Sequence, residues 1–270
     1  MENLKDKVIW ITGASSGIGE ELTKQFAKEG AKLVLSARRE SELLRVKNAA
    51  NLSDNQVFIL PMDMLEMDSF ADKFQQIIAR FGGVDVMVHN AGISQRTLFS
   101  EMSDQDAKRL MDTNFTSVVA LTKVVLPHFI QKKSGTFLVT SSVSGKIGTP
   151  YRTIYCASKH ALQGFFDGLR GEVWKDGVQV TVVCPGYINT PISLSAIGKG
   201  GNAYGKMDVN QAQGISVNIC VAKMIKALKS GKHEIVIAGL KETFGTYLKR
   251  FAPSLLWLFT KNYSVKSTEE

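Results

Sequence analysis

One stretch near the amino terminus leaves the chain few folds to choose from. Lys7 to Thr12 is apolar without alternation, the loop Thr12-Gly13-Ala14-Ser15-Ser16-Gly17-Ile18-Gly19 follows at once, and an amphipathic segment with Leu22, Phe26 and Ala27 runs on to Gly30. An unalternating apolar run is how a strand buried on both faces of a parallel sheet reads. Glycines after it let the backbone turn tightly and approach a pyrophosphate, whose charge is met by N–H groups at the start of the helix. A glycine loop alone means little, but a strand before it and a helix after it are the context that confirms the motif. Gly13, Ser15, Ser16, Gly17, Ile18 and Gly19 are therefore candidate phosphate-side contacts.

The alternation continues. A second strand, Ala31 to Ala37, ends in Arg38 and Arg39, where a site choosing NAD would place an acid for the ribose 2′-hydroxyl. Two guanidiniums suit a 2′-phosphate instead, so NADP(H) is favoured over NAD(H); the plainer reading makes either arginine a solvated start to the next helix. Val57 to Leu60 reads as a strand, Met67 to Phe81 as a helix with Phe70, Phe74, Ile77 and Ile78 on one face, and Val84 to Val88 as a strand. Strands alternating with helices imply a parallel, doubly wound α/β sheet. Asp63 follows the third strand and either accepts from an adenine amino group or is a turn aspartate. After the fourth come His89, read as a packed strand-end histidine, then Asn90, Ala91 and Gly92.

The second half carries the chemistry. Helices are expected over Ser103 to Asn114 and Phe115 to Gln131, with Asn114 interrupting the apolar pattern as a buried amide that needs partners. The strand Thr136 to Thr140 leads to Ser142. Tyr155 and Lys159, four apart, share a face of the helix Tyr155 to Trp174, so the ammonium is expected to lower the phenol pKa toward an acid/base range. That helix, with small residues at Ala157, Gly164 and Gly168, is also read as a subunit interface. Val180 to Cys184 is a strand ending in Pro185-Gly186, a turn that would lay backbone against a nicotinamide with the Thr190 hydroxyl near its amide. From there to about Gly205 the composition suggests a mobile lid. Val209 to Lys229 is expected as one helix and Glu234 to Ala238 as the last strand.

Composition narrows the classes. A net charge of +8 admits a phosphorylated cofactor or an anionic membrane, but no basic stripe interleaved with aromatics points to nucleic acid. Cys156, Cys184 and Cys220 lack metal-ligand spacing and read as reduced structural thiols; no metal is expected. The polar start, Met1 to Lys7, followed by an apolar segment only a strand long, gives an expectation of a cytoplasmic protein with neither secretory signal nor spanning helix.

Thr-Gly-x-x-x-Gly-x-Gly at 12–19, Asn-Ala-Gly at 90–92, Asn114, Ser142, Tyr155, Lys159 and Pro185-Gly186, in this order and spacing, resemble the short-chain dehydrogenase/reductase family in its compact single-domain branch. The resemblance covers nearly all of residues 4–240 and implies a Rossmann-type sheet of about seven strands with helices on both faces, assembled as a homodimer or homotetramer. It implies a catalytic set of Asn114, Ser142, Tyr155 and Lys159: the tyrosine gives the proton, the serine binds the carbonyl oxygen, the lysine tunes the tyrosine and holds ribose hydroxyls, and the asparagine supports a water. Gly13, Ser15, Ile18, Arg38, Asp63, Asn90, Lys159, Ile188 and Thr190 would contact the cofactor. His89 departs from the family, where a second asparagine is commoner.

Residues 1–240 are thus read as a catalytic NAD(P)-binding domain and 241–270 as an extension. Leu240, Phe244, Tyr247, Leu248 and Phe251 fall at helical spacing, Leu255 to Phe259 follow Pro253, and Lys241, Lys249, Arg250, Lys261 and Lys266 face one acid, Glu242. Such a segment either lies on a membrane surface or packs over the cleft or across a dimer. The reading is an NADP(H)-dependent oxidoreductase interconverting a ketone or aldehyde with an alcohol, acting as a reductase of a hydrophobic or lipid-like carbonyl. Its rivals are a reductase of small or carrier-bound 3-oxoacyl substrates and a non-catalytic nucleotide-binding regulator.

Overall fold

The computed structural model describes residues 3–261. Seven strands, β1 (Val8–Thr12), β2 (Lys32–Ser36), β3 (Val57–Ile59), β4 (Val86–His89), β5 (Gly135–Thr140), β6 (Val178–Pro185) and β7 (Glu234–Ile237), form one sheet in the order β3-β2-β1-β4-β5-β6-β7. Every pairing is parallel. The order reverses between β1 and β4, the place where open α/β sheets leave a crevice beyond the strand ends.

The period of a strand divides β1 between two layers. Val8 and Trp10 join Phe70, Phe74, Phe129 and Phe166 on one face, while Ile9 and Ile11 join Leu22, Phe26, Val221 and Leu228 on the other. Both faces are dry, which explains the unalternating sequence. The helices that cover them are α1 (Gly17–Lys28), α2 (Glu40–Ala49), α3 (Phe70–Phe81), α4 (Asp104–Met111), α5 (Ser117–Lys132), α6 (Thr153–Val173), α7 (Val209–Ala212) and α8 (Val217–Lys229), before α9 (Leu240–Phe251) and α10 (Pro253–Thr260).

Two elements differ from expectation. The chain does not break at Asn114 into two helices; a π turn, Asp112–Thr116, joins α4 to α5 and carries Asn114 in its middle. Nor is 209–229 one helix. Between α7 and α8 the backbone opens so that Ile215 forms a parallel bridge with Ile188, its N–H donating to the Tyr187 carbonyl at 2.9 Å. These extended backbone bonds outcompete helix continuation, and Gly214 permits the approach, since a Cβ there would stand 2.4 Å from the Tyr187 oxygen.

Candidate active site

At the carboxyl end of β1 the turn depends on two missing side chains. Gly13 has φ +66, and a Cβ on it would lie 2.8 Å from the Ala91 Cα; one on Gly19 would lie 2.1 Å from the Gly13 carbonyl oxygen. Thr12 and Asn90 then stitch the turn to the end of β4. Thr12 Oγ1 accepts from the N–H groups of Asn90 (3.1 Å) and Ala91 (3.2 Å), and Asn90 Nδ2 donates to the carbonyls of Thr12 (3.1 Å) and Gly13 (3.3 Å). On the far side Arg45 of α2 donates to the Ser15 carbonyl (3.1 Å) and to Glu20 (2.8 Å). That guanidinium holds the Glu20 carboxyl down at about 2. The link from Arg45 to the loop is invisible in the sequence, because Ser15 and Glu20 lie 30 and 25 residues away; only its partner Glu42 is local.

All the residues expected to hold a cofactor, Gly19 excepted, line one cavity of about 830 Å³, and Ser142, Tyr155 and Lys159 line it too. Asp63 reaches the wall while its Oδ1 accepts from the Leu65 N–H at 3.0 Å, so it is a turn aspartate in addition. Arg38 and Arg39 are exposed on the same wall, and no carboxylate among the described residues pairs with either. Open N–H groups at the start of α1 and a glycine floor no Cβ would clear fit the phosphates of a dinucleotide.

Ser142 accepts from the Ser144 N–H (3.0 Å) and donates to the Pro185 carbonyl (3.3 Å), which aims its hydroxyl across the ends of β5 and β6. The first turn of α6 is held by buried Gln95, whose Oε1 accepts from the N–H groups of Ile154 (3.0 Å) and Tyr155 (3.2 Å). The expectation for the phenol needs correcting. Burial pushes the Tyr155 pKa up, and what opposes this is the Ser142 hydroxyl and the positive charges of Arg152 and Arg96, not Lys159. The Lys159 ammonium sits 5.9 Å from the centre of the Tyr155 ring and donates to the Thr140 carbonyl at 2.9 Å. Burial lowers its own pKa to about 8, which weakens it as a source of charge. Asn114 lies behind the wall, fully buried, and acts on the backbone that forms it.

Sequence reasoning missed a second cluster. Asp208 Oδ2 accepts from Arg96 Nε (3.2 Å) and Arg152 Nη2 (3.3 Å), all three residues being buried, and the Arg152 guanidinium lies 5.2 Å over the Tyr187 ring. Charged residues this far apart in sequence give no periodic signal. The segment read as a lid is tied down by main chain, with Ile197 bonded to Ser94 and Arg96 at 2.8 Å each. His89 is packed as expected: its ring stacks 5.8 Å from that of Phe137, Nε2 meets Thr122 Oγ1 at 2.9 Å, and burial drives its pKa to about 3. The three cysteines are buried free thiols.

The extension begins against the turn that borders this site. Glu242 Oε1 accepts from the Tyr187 N–H at 3.0 Å and Oε2 from the Gly239 N–H at 2.5 Å, capping α9 against the turn that follows β6. Leu240, Phe244, Tyr247 and Phe251 stay exposed, as do Trp257, Leu258 and Phe259 of α10. Lys266 lies outside the described residues. No described helix is long and apolar enough to cross a membrane.

Comparison with known proteins agrees with this geometry. Residues 7–197 match the family model described as short chain dehydrogenase. The chain is 40% identical over 266 residues to dehydrogenase/reductase SDR family protein 7-like of Anopheles gambiae, covering 96% of this chain and 84% of that one. It is 37% identical over 272 residues to dehydrogenase/reductase SDR family member 7 of Homo sapiens, covering 98% and 80%. A short-chain dehydrogenase from Streptomyces avermitilis superposes with a TM-score of 0.81 at 24% identity, over 95% of this chain and 97% of that one. A short chain dehydrogenase/reductase from Burkholderia phymatum, solved in complex with NAD, gives 0.82 at 21% over 94% and 96%. A seven-stranded parallel sheet, a glycine turn at its switch point and the Ser142, Tyr155 and Lys159 grouping beyond it make this chain a member of the short-chain dehydrogenase/reductase family of oxidoreductases.

Proposed function

We propose that the protein is an NADPH-preferring carbonyl reductase, taking a hydrophobic or lipid-like ketone or aldehyde to its alcohol. The observation that carries the cofactor preference is the pair Arg38 and Arg39 at the end of β2, on the cavity wall, where an acid would select NAD. A bound reduced nicotinamide supplies the hydride.

The chain supplies the proton and the orientation. A buried phenol with its pKa pushed up is protonated at neutral pH, the state a proton donor to a carbonyl oxygen needs. Ser142, held by the Ser144 N–H, turns its single O–H from the Pro185 carbonyl to the same oxygen when a carbonyl binds. As the proton leaves Tyr155, the growing phenolate is stabilised by the nearby guanidiniums of Arg152 and Arg96. Lys159, with a pKa near 8, would return a proton to the phenolate and bind ribose hydroxyls. Asn114 holds the loop at 90–93 that borders the nicotinamide end.

The hydrophobic substrate class rests on the apolar, basic-flanked surface of α9 and α10, which we take to lie on an anionic membrane surface at the cytoplasmic side, and on Ile192 and Leu194 at the cavity wall. The exposed face of α6 around Gly164 and Gly168, open to solvent in the single chain, is taken as a contact in a homodimer or homotetramer. The test is NADPH consumption over ketones and aldehydes from small polar carbonyls to steroids and retinal, with Tyr155→Phe as control. Turnover confined to apolar carbonyls and lost in the variant is the expected result; turnover confined to thioesters, or none at all with NADPH bound, overturns the assignment.

A further inference from the structure

Gln211 lines the same cavity as Thr190, Ser142, Tyr155 and Lys159. It is only 6% exposed and sits on α7, a single helical turn capped by Asp208, whose Oδ1 accepts from the Asn210 (3.0 Å) and Gln211 (3.3 Å) N–H groups. Its Nε2 donates to Thr190 Oγ1 at 3.1 Å. Thr190 in turn closes against the glycine loop, since a Cβ on Gly17 would lie 3.2 Å from the Thr190 Cβ. The other end of the amide, Oε1, is buried without a hydrogen-bond partner, while the residue lines the cavity. Buried amide oxygens are almost always paired, so an orphan on a ligand cavity marks a place where a ligand donor belongs.

We propose that Gln211 is a further cofactor-binding residue: it fixes the Thr190 hydroxyl through Nε2 and, by a turn of its side chain that brings the sealed Oε1 to the cavity, accepts from a primary carboxamide N–H, the group that a nicotinamide carries. This rests on the nicotinamide-cofactor reading above and adds a residue that no local motif announces. The bridge between Ile188 and Ile215 makes the arrangement stiff, because it ties the strand-end turn carrying Thr190 to the backbone just after α7. Gln211 and Thr190 therefore act as one unit.

The experiment compares ligands with and without the nicotinamide ring. Binding of NADP⁺ and of 2′-phospho-ADP-ribose is titrated by intrinsic fluorescence for the wild type, Gln211→Met, Thr190→Val and the double variant. Methionine keeps the length of the side chain and removes both polar atoms. Gln211→Met should weaken NADP⁺ by about tenfold, the worth of one buried hydrogen bond, and leave the ring-less ligand unchanged. The double variant should be no weaker than the poorer single one, as expected of coupled groups. Unchanged NADP⁺ affinity, an equal loss for both ligands, or additive losses would overturn the proposal. If the wild type prefers NAD⁺, the same comparison with NAD⁺ and ADP-ribose separates the fate of Gln211 from that of Arg38; if it binds no dinucleotide, both readings fall.

Discussion

Asn114 and Ile93 hold each other at both ends: Asn114 Oδ1 accepts the Ile93 N–H and Asn114 Nδ2 donates to the Ile93 carbonyl, each at 2.9 Å. Nδ2 also meets Ser158 Oγ at 3.1 Å, so one amide pins the loop after β4 to α6. Truncation would strand a backbone donor and acceptor of that loop. Asn114→Ala should therefore cost about 1–3 kcal/mol in chemical denaturation, as well as activity. A variant with an unmoved denaturation midpoint would show that the loop is held by something else.

Tyr155→Phe removes one oxygen and little volume. Carbonyl reduction should fall by about 10²–10⁴-fold, the usual range for a lost proton donor, with NADPH affinity retained. Steady-state rates beside fluorescence titration make the check; parallel loss of binding would mean the phenol orders the site rather than donates.

Arg38→Asp should weaken NADPH by about tenfold or more while sparing or improving NADH, because the new carboxylate repels a 2′-phosphate and accepts from a ribose hydroxyl. Arg39→Asp reports which of the two guanidiniums dominates. Dissociation constants for both cofactors decide it, and equal weakening of the two would remove the phosphate role.

His89 carries a pH signature. Its folded pKa of about 3 lies below its ordinary 6.5, so stability is full above pH 6.5 and is lost progressively as pH falls toward 3. By pH 4.5 the loss is about 3 kcal/mol. His89→Leu abolishes this slope, so its stability deficit at pH 7.5 should shrink or reverse at pH 4.5. Thermal melts across that window test it, and a pH-independent gap would count against burial as the cause.

Phe244→Ser, Phe251→Ser and Phe259→Ser, all at exposed positions, should reduce sedimentation with anionic liposomes severalfold without changing the melting temperature. Retained partitioning would favour the packing role for the extension. Point changes are preferable to deletion, since Glu242 at the start of α9 holds the Tyr187 N–H.

Legibility followed the range of the interactions. Trp10 and Ile11 announced a doubly buried strand because period and burial are local, and Gly13 to Gly19 announced their turn because only glycine fits there. Tyr155 and Lys159 share a helix face by spacing, yet their electrostatics cannot be read there: the Thr140 carbonyl that accepts from Lys159 and the guanidiniums near the phenol come from other elements. Arg96, Arg152, Asp208 and Gln211 were missed for the same reason. The break at Gly214 went unread because helix propensity there is overruled by pairing with Ile188, a residue on another segment.

The stitch between Thr12 and Asn90 has a consequence for biosynthesis. The first three strands are complete by Ile59, and their pairing needs only neighbours in sequence. The glycine turn they contain, however, is closed by donors and acceptors 77 to 79 residues downstream. A nascent chain emerging from the ribosome can therefore lay down three strands while its glycine loop, held by Ser36 and Arg45, still lacks the clamp that β4 brings. Free cofactor then favours the chain whose fourth strand has docked, acting as a ligand for an order of assembly as well as for the finished molecule.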